Sequence, residues 1–503
     1  MVNDNPTVKT FNLVDRPWIP VAGENELRSL TAVFSEPAPQ RLAGNAVDKI
    51  VMFRFLLSIV HASSDIPDEA AWHALTPQKI AENARNYLNV HKDCFDLYDP
   101  VRPFLQFPQL KEKKGKEDSC GSLQVNVASG NKVVLTEWNQ ERPLSDPEKA
   151  VLLLRSGGYA CGGKKYDSTV ILSPGYEKGK TGHSGTLLGS FGYLHTYMLG
   201  TDLWDSLRRN LMTLQEIKNL GCYPAGLGEP CWLRMPEGED DAVSKQYRRS
   251  YFGRLMPLDK FVFLTDNGII KTDGISYNDP KAVPLDPAVT VYPDKKENKT
   301  VWANMEKRPW RQLSAMLHFL QKDTDSPFFL SQGLRHLRHE SPPGIGIWTG
   351  GAAISANSGE QYMSGTDDYI ESEFILPAYI FTEQDQWLKR FTDLMTELDL
   401  HSKILYAAVS QYHKLMNNET GTSLAGQTVT RFWEHMESRA QPIIDLAANP
   451  GEKGEMDEKT RWKKAVMELY NDFCPCETAR QMTAWVEAKP NFNRKKGKNK
   501  NGK

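Results

Sequence analysis

The C-terminal part of the chain has a pattern of apolar residues that strongly limits its possible folds. Four segments repeat their apolar residues on a helical period, at about residues 382–400, 402–416, 425–447 and 457–488. Asn417-Asn418 and the Asn449-Pro450-Gly451 turn punctuate these segments, and short links between amphipathic helices favour an antiparallel four-helix bundle. Pro475 should interrupt the last helix because proline has no amide hydrogen to donate.

The residues before this bundle mix helical and strand patterns. Asn45–Ala62 has the period of a buried helix, and a short helix is expected over Pro147–Leu154. Residues 258–301 combine β-branched residues with Asn267-Gly268 and Asp273-Gly274, which predicts β-hairpins. At 503 residues the chain is too long for one core. We therefore expect an α+β fold, with a mixed domain over 1–380, the bundle over 381–488 and a disordered basic tail over 489–503.

The charge balance argues against an independent, tightly binding DNA protein. The chain has 61 basic and 63 acidic residues, a net charge of −2, whereas such proteins usually have a large basic excess. Residues 489–503 contain seven basic residues and no acid, so the tail is either a solvated terminus or a non-specific phosphate contact. No apolar run is long enough to cross a membrane, and no signal segment opens the chain. A cytoplasmic location is expected.

Motifs for catalysis or metal binding are weak. The sequence has no G-x-S-x-G elbow and no P-loop, although the glycine- and lysine-containing stretch Gly175–Gly182 has a composition that suits phosphate. A flexible surface loop is the main alternative for that stretch. Cys474-Pro475-Cys476 has no second cysteine pair at zinc-finger spacing. The sequence therefore predicts no enzyme activity, no cofactor and no metal.

One segment combines cations with aromatic rings. Its members are Lys245, Arg248, Arg249 and Arg254, interleaved with Tyr247, Tyr251 and Phe252. Cations that reach phosphates, next to rings that can stack on bases, are typical of a nucleic-acid surface. An element with one solvated face explains the same pattern equally well, so both interpretations stay open.

The N-terminal run Phe11–Val21 suggests a strand that ends in a turn. Pro17 and Pro20 fix the backbone on either side of Trp18 and Ile19, so the turn is braced. This run resembles the opening of the CasA family, the large subunit of the type I-E CRISPR Cascade complex. Further similar segments follow in the family's order, including Pro230-Cys231-Trp232 and Pro309-Trp310-Arg311-Gln312.

The resemblance implies two DNA-contacting loops. The segment 128–137 resembles the family's first long loop, which inserts beside the protospacer-adjacent motif (PAM), and Gly157–Lys165 resembles its glycine loop. Glycines let a backbone approach a minor groove closely because no Cβ intervenes. Without the resemblance, both segments would be ordinary surface loops. The implied contacts are Asn131, Lys132, Val134, Leu135, Thr136, Gly157, Gly158, Gly162, Gly163 and Lys164.

A third similar segment begins at Gly350-Gly351. In the family, such a pair leads into a hairpin whose glutamine acts as a wedge between the first target base pairs. The resemblance implies Gln361 as the wedge tip, with Asn357 as the alternative because it lies closer to the glycine pair. A plain polar hairpin turn is the simpler interpretation. Lys271 is similarly matched to a family lysine that contacts the PAM duplex.

The resemblance as a whole implies a non-catalytic DNA-recognition subunit. It would read the PAM in double-stranded DNA, aid strand separation and R-loop formation, and help recruit a helicase–nuclease. Its partners would be the target DNA and the other crRNA-containing Cascade subunits (the backbone, small and guide-end subunits), with no membrane involved. The alternatives are a phosphate-ester hydrolase that uses residues 175–182 and a purely structural scaffold.

Overall fold

A computed structural model describes most of the chain, over residues 9–113, 115–120, 143–162, 170–174, 176, 184–277, 286–294, 297–317, 329–337, 340, 344–357, 360–364, 367–449 and 451–492. The chain forms two compact units, Met1–Glu373 and Phe374–Lys503. The first unit mixes helices and strands, and the described part of the second is almost entirely helical, as the α+β prediction required. The sequence pattern predicts a boundary near residue 380.

The helices of the first unit are mostly short. Within the described residues they are α1 Leu30–Val33, α2 Ala46–Ser63, α3 Glu69–Ala74, α4 Pro77–Val90, α5 Gln109–Glu112, α6 Asp146–Gly158, α7 Leu203–Arg209, α8 Leu214–Asn219, α9 Ala242–Tyr247, α10 Tyr251–Leu255, α11 Leu313–Leu317 and α12 Phe329–Leu337. Short 3₁₀ segments lie at Lys92–Phe95 and Pro309–Gln312.

The strands form small sheets. They are β1 Glu117–Asp118, β2 His195–Leu199, β3 Lys260–Leu264, β4 Ile269–Asp273, β5 Val291–Asp294, β6 Glu297–Thr300, β7 Gly344–Ala352, β8 Ser355–Asn357, β9 Glu360–Tyr362 and β10 Tyr369–Pro377. Two sheets are three-stranded, in the orders β1-β4-β3 and β10-β7-β2, and β5–β6 and β8–β9 are separate hairpins. The expected hairpin at Asn267-Gly268 is confirmed because this turn joins β3 to β4. The second expected turn, Asp273-Gly274, lies at the end of β4, which pairs with β3 and β1.

Helix α2 forms the centre of the first unit and confirms the predicted buried helix. Asn45 caps it by accepting a hydrogen bond from the amide of Asp48. Its residues from Ile50 to His61 are buried on every side, as expected for a helix surrounded by other elements. It packs against α4, α6, α7, α10 and β7.

The N-terminal run differs from the prediction. Leu13, Val14, Trp18 and Ile19 are buried, but the run forms isolated bridges rather than a strand. The Trp18 indole donates to the carbonyl of Leu13, 3.1 Å away, which folds the run back on itself. The braced turn is therefore present, and the predicted strand is wrong because the chain turns before a ladder can form.

The helices of the second unit depart from the predicted boundaries. In the described residues they are α13 Ile380–Leu415, α14 Gly421–Glu437, α15 Ala440–Ala448, α16 Glu452–Phe473 and α17 Ala479–Glu487. Helix α13 packs against all four others. Two predicted helices merge into α13, the third is divided into α14 and α15, and the fourth into α16 and α17.

Local hydrogen bonds explain these differences. Ser402 was expected to begin a helix, but its hydroxyl donates to the carbonyl of Asp399 inside α13. Pro475 interrupts the last segment as predicted, and Thr478 then starts α17 with a capping box to Gln481. In the part of the chain that the structure describes, no helix is both long and apolar enough to cross a membrane.

Candidate nucleic-acid interface

The first two glycines of the expected glycine loop lie inside the protein. Gly157 and Gly158 are the last residues of α6, and both are buried. A Cβ on Gly157 would lie 2.4 Å from the carbonyl oxygen of Pro257, and one on Gly158 would lie 2.5 Å from Cγ of Leu187. These glycines therefore permit close packing within the protein. The expectation that they present open backbone to a duplex is wrong.

Gln361 connects the third glycine to a distant turn. Its Oε1 accepts a hydrogen bond of 2.8 Å from the amide of Gly162, and its own backbone amide donates to the Gly162 carbonyl at 3.0 Å. Its Nε2 donates to the carbonyls of Gly189 and Ser190, at 2.7 and 2.8 Å. We call these four residues the Gln361 clamp. The clamp fixes Gly162 of the glycine loop to the turn at residues 189–190.

The hairpin β8–β9 carries both residues proposed as a wedge, but in different settings. Gln361 pairs with Ala356 and is only 6% exposed, whereas Asn357 is exposed and pairs with Glu360 next to the hairpin tip. The expectation that Gln361 is the wedge tip is therefore wrong, since its side chain is buried and its amide is fully hydrogen-bonded. Asn357, the alternative, lies at the exposed end of the hairpin.

The turn held by the clamp was not singled out from the sequence. Gly189 and Gly192 have φ values of +63° and +88°, which glycine adopts without strain. A Cβ on Gly192 would lie 1.7 Å from the carbonyl oxygen of Ala352 at the end of β7. The local signal for this turn is its pair of glycines, and Gln361, whose side chain holds it, lies more than 150 residues away.

Asp259 holds the base of the glycine loop. Its two carboxyl oxygens each accept a 2.7 Å hydrogen bond from Thr186, one from the amide and one from the hydroxyl. Its own amide donates to the carbonyl of Gly157. Burial raises the pKa of Asp259 to about 7, although the Thr186 hydrogen bonds and the Lys260 and Arg254 cations lower it.

This raised pKa predicts a pH-dependent stability. The unfolded carboxyl releases its proton near pH 4 and the folded one near pH 7, so stability falls as pH rises between these values. We expect Asp259→Asn to flatten that decline, as measured by urea unfolding from pH 4.5 to 8. The exposed Asp266 lies in the turn between β3 and β4, so Asp266→Asn is a matched control. An unchanged pH dependence in Asp259→Asn would contradict the raised pKa.

Lys271 does not reach the surface. It lies in the middle of β4, opposite Val262, and its side chain is 3% exposed. Its Nζ lies 3.5 Å from Oδ2 of Asp118 on β1, so the cation is neutralised within the sheet. The expectation that Lys271 contacts the PAM duplex is wrong in this conformation because the side chain is buried and paired.

The rings in the basic segment are core residues. Tyr247, Tyr251 and Phe252 are each at most 5% exposed, and the Tyr247 hydroxyl donates to the carbonyl of Met256. None of the three presents a face to a base. Of the two interpretations of this segment, the structure fits the element with one solvated face.

The cations of the segment are only partly available. Lys245 and Arg248 share Asp240, with nitrogen–oxygen distances of 3.1 and 3.6 Å. Arg249 is exposed, and the Arg254 guanidinium lies 5.6 Å from the centre of the Tyr277 ring. Phosphate contacts from Lys245 and Arg248 would therefore compete with Asp240.

Some predicted residues lie outside the described residues and are not placed. They are Asn131, Lys132, Val134, Leu135, Thr136, Gly163 and Lys164. The glycine- and lysine-containing stretch 175–182 is described only at Tyr176. Among the residues that are described, no three His, Cys, Asp or Glu side chains are grouped to hold a metal ion.

Comparison with known families identifies the chain. Residues 12–472 match the family model described as CRISPR-associated protein Cse1. The chain belongs to the Cse1 family. A curated relative from Thermus thermophilus, named CRISPR-associated protein CasA/Cse1, is 32% identical over 155 residues. That alignment spans 27% of this chain and 28% of the relative's length.

Solved structures share the fold of this Cse1 family member. Cse1 from Thermobifida fusca superposes with a TM-score of 0.69 at 18% identity, covering 95% of this chain and 98% of that one. A chain from a structure described as a CRISPR RNA-guided surveillance complex gives a TM-score of 0.63 at 16% identity, with coverage of 95% and 98%. The resemblance to the CasA family seen in the sequence is thereby confirmed for family and fold.

Proposed function

We propose that this Cse1 family member is the large subunit of a type I-E Cascade complex and recognises the PAM in double-stranded target DNA. Protein contacts would read the PAM while the guide RNA reads the target by base pairing. Membership of the family and the fold shared with a surveillance-complex chain support this assignment. The subunit would act by binding rather than catalysis, and would help recruit the helicase–nuclease.

The Gln361 clamp is the observation that links the proposed function to particular residues. It ties Gly162, within the glycine loop, to the hairpin strand β9 through hydrogen bonds to both the amide and the carbonyl of Gly162. A loop and a hairpin that must meet one duplex need a fixed separation, since misplaced contacts lose binding free energy. Gln361 would be the positioning residue, and Asn357 at the exposed end of β8 would meet the first base pairs.

The test is PAM discrimination by the reconstituted complex. We expect affinity for target duplexes with randomised PAM to depend on the PAM only when this subunit is present. Electrophoretic mobility shifts followed by sequencing of bound DNA would measure the preference. A complex that discriminates equally well without the subunit would overturn the proposal and favour a structural scaffold.

A further inference from the structure

The turn held by the Gln361 clamp exposes one large aromatic side chain. Phe191 is 52% exposed, although its neighbours Gly192 and Leu194 are buried. Its ring lies edge to face with Trp302, with centroids 5.5 Å apart and an interplanar angle of 88°. Trp302 stacks in turn on Tyr193 at 4.6 Å and 15°. The Phe191 ring thus packs against Trp302, which is itself stacked on Tyr193.

The backbone around Phe191 is held on both sides. The Gln361 side chain binds the carbonyls of Gly189 and Ser190, directly before it. The Phe191 carbonyl accepts a 3.2 Å hydrogen bond from the amide of Ile354, just before β8. An exposed ring on a fixed backbone loses little conformational entropy when it binds a partner.

The position of the ring indicates its partner. The same Gln361 side chain holds both the Phe191 turn and Gly162, and Ile354 links that turn to the hairpin that carries Asn357. Hydrogen bonds therefore join the turn that carries Phe191 to both segments assigned above to the duplex. A base that has lost its pairing partner exposes a flat π face, and aromatic side chains stack on such faces with little sequence preference.

We propose that Phe191 stacks on the nucleobase that is freed when the first base pair beside the PAM opens. The inference deepens the proposed function and rests on it. Stacking would stabilise the opened pair without reading its sequence, which is what a subunit that must open many different targets requires. The free energy needed to open one base step is of the same order as the free energy of one base–aromatic stack.

The test compares R-loop formation by assembled complexes that contain full-length wild-type, Phe191→Leu or Phe191→Trp subunits. We expect Phe191→Leu to slow R-loop formation on a fully paired target about tenfold, as for loss of one stack. Phe191→Trp should keep the wild-type rate. The same rates are then measured on targets with an abasic nucleotide at the first protospacer position, in one strand at a time. On one of these targets Phe191→Leu should match wild type, because the base that stacks is gone.

Controls separate this proposal from the one it rests on. Tyr406 is an exposed aromatic on α13, so Tyr406→Leu makes a matched change in the other unit and should leave all rates unchanged. An equal loss for Phe191→Leu on every target, or no loss, would overturn the stacking role. Weaker assembly of the Phe191→Leu complex, seen by gel filtration, would instead indicate a protein contact and also overturn it. Failure of the wild-type complex to discriminate PAMs would contradict the proposed function itself.

Discussion

Replacing Gln361 with alanine should lower both the thermal stability of the protein and the affinity of its assembled complex for PAM-bearing duplex. The substitution removes the acceptor of the buried Gly162 amide and the donor to Gly189 and Ser190. Buried groups left without partners cost about 1–3 kcal/mol each, and Ser190 is exposed enough to regain water, so we expect a total of about 2–4 kcal/mol. Thermal unfolding and target binding would be measured on the same preparation.

Two further variants distinguish positioning from contact. Asn357→Ala changes an exposed residue of the same hairpin, so it should lower thermal stability less than Gln361→Ala does and weaken binding only to targets that must be opened. Gln361→Glu keeps an acceptor for the Gly162 amide, but its carboxylate would lie against the Gly189 and Ser190 carbonyls. At pH 7 it should therefore destabilise the protein at least as much as Gln361→Ala does. Full stability in both position-361 variants would contradict the clamp.

Helical periodicity predicted that helices exist but not every boundary between them. The apolar period of Asn45–Ala62 placed α2 to within a residue of its observed ends. Periodicity could not predict where the helices of the second unit begin and end. A serine such as Ser402 can cap a helix or hydrogen-bond within one, depending on the turn that precedes it. Periodicity does not explain the basic segment, because Tyr247 ends α9 and Tyr251 begins α10, although both rings are buried.

The candidate site was only partly visible in the sequence. The family resemblance selected Gly162 and Gln361 separately, yet their mutual hydrogen bonds join residues 199 positions apart, which no local pattern encodes. The resemblance also implied that the Gln361 side chain is exposed. Nothing in the sequence of a polar hairpin indicates that a glutamine in it is buried. Lys271 failed for a related reason, since its partner Asp118 belongs to a two-residue strand that periodicity cannot detect.

Replacing Asp286 with leucine should cost about 3–5 kcal/mol of stability. Asp286 pairs with Arg54 at the centre of α2, with both side chains at most 3% exposed and 2.8 Å between Nη2 and Oδ2. Burial raises the pKa of Asp286, but the Arg54 guanidinium outweighs burial and holds that pKa below its ordinary value. Without the carboxylate, a buried cation stays uncompensated. Urea unfolding at pH 7 would measure the loss.

The double variant Arg54→Met with Asp286→Leu tests the cause. It removes both charges, so most of the loss should be recovered if the unpaired cation is responsible. Recovery should be incomplete, because Arg54 also donates to the carbonyls of Arg254 and Leu255 at the end of α10. Those carbonyls lie just before Pro257, against which Gly157 packs. A double variant as unstable as Asp286→Leu alone would show that lost packing, rather than the buried charge, sets the cost.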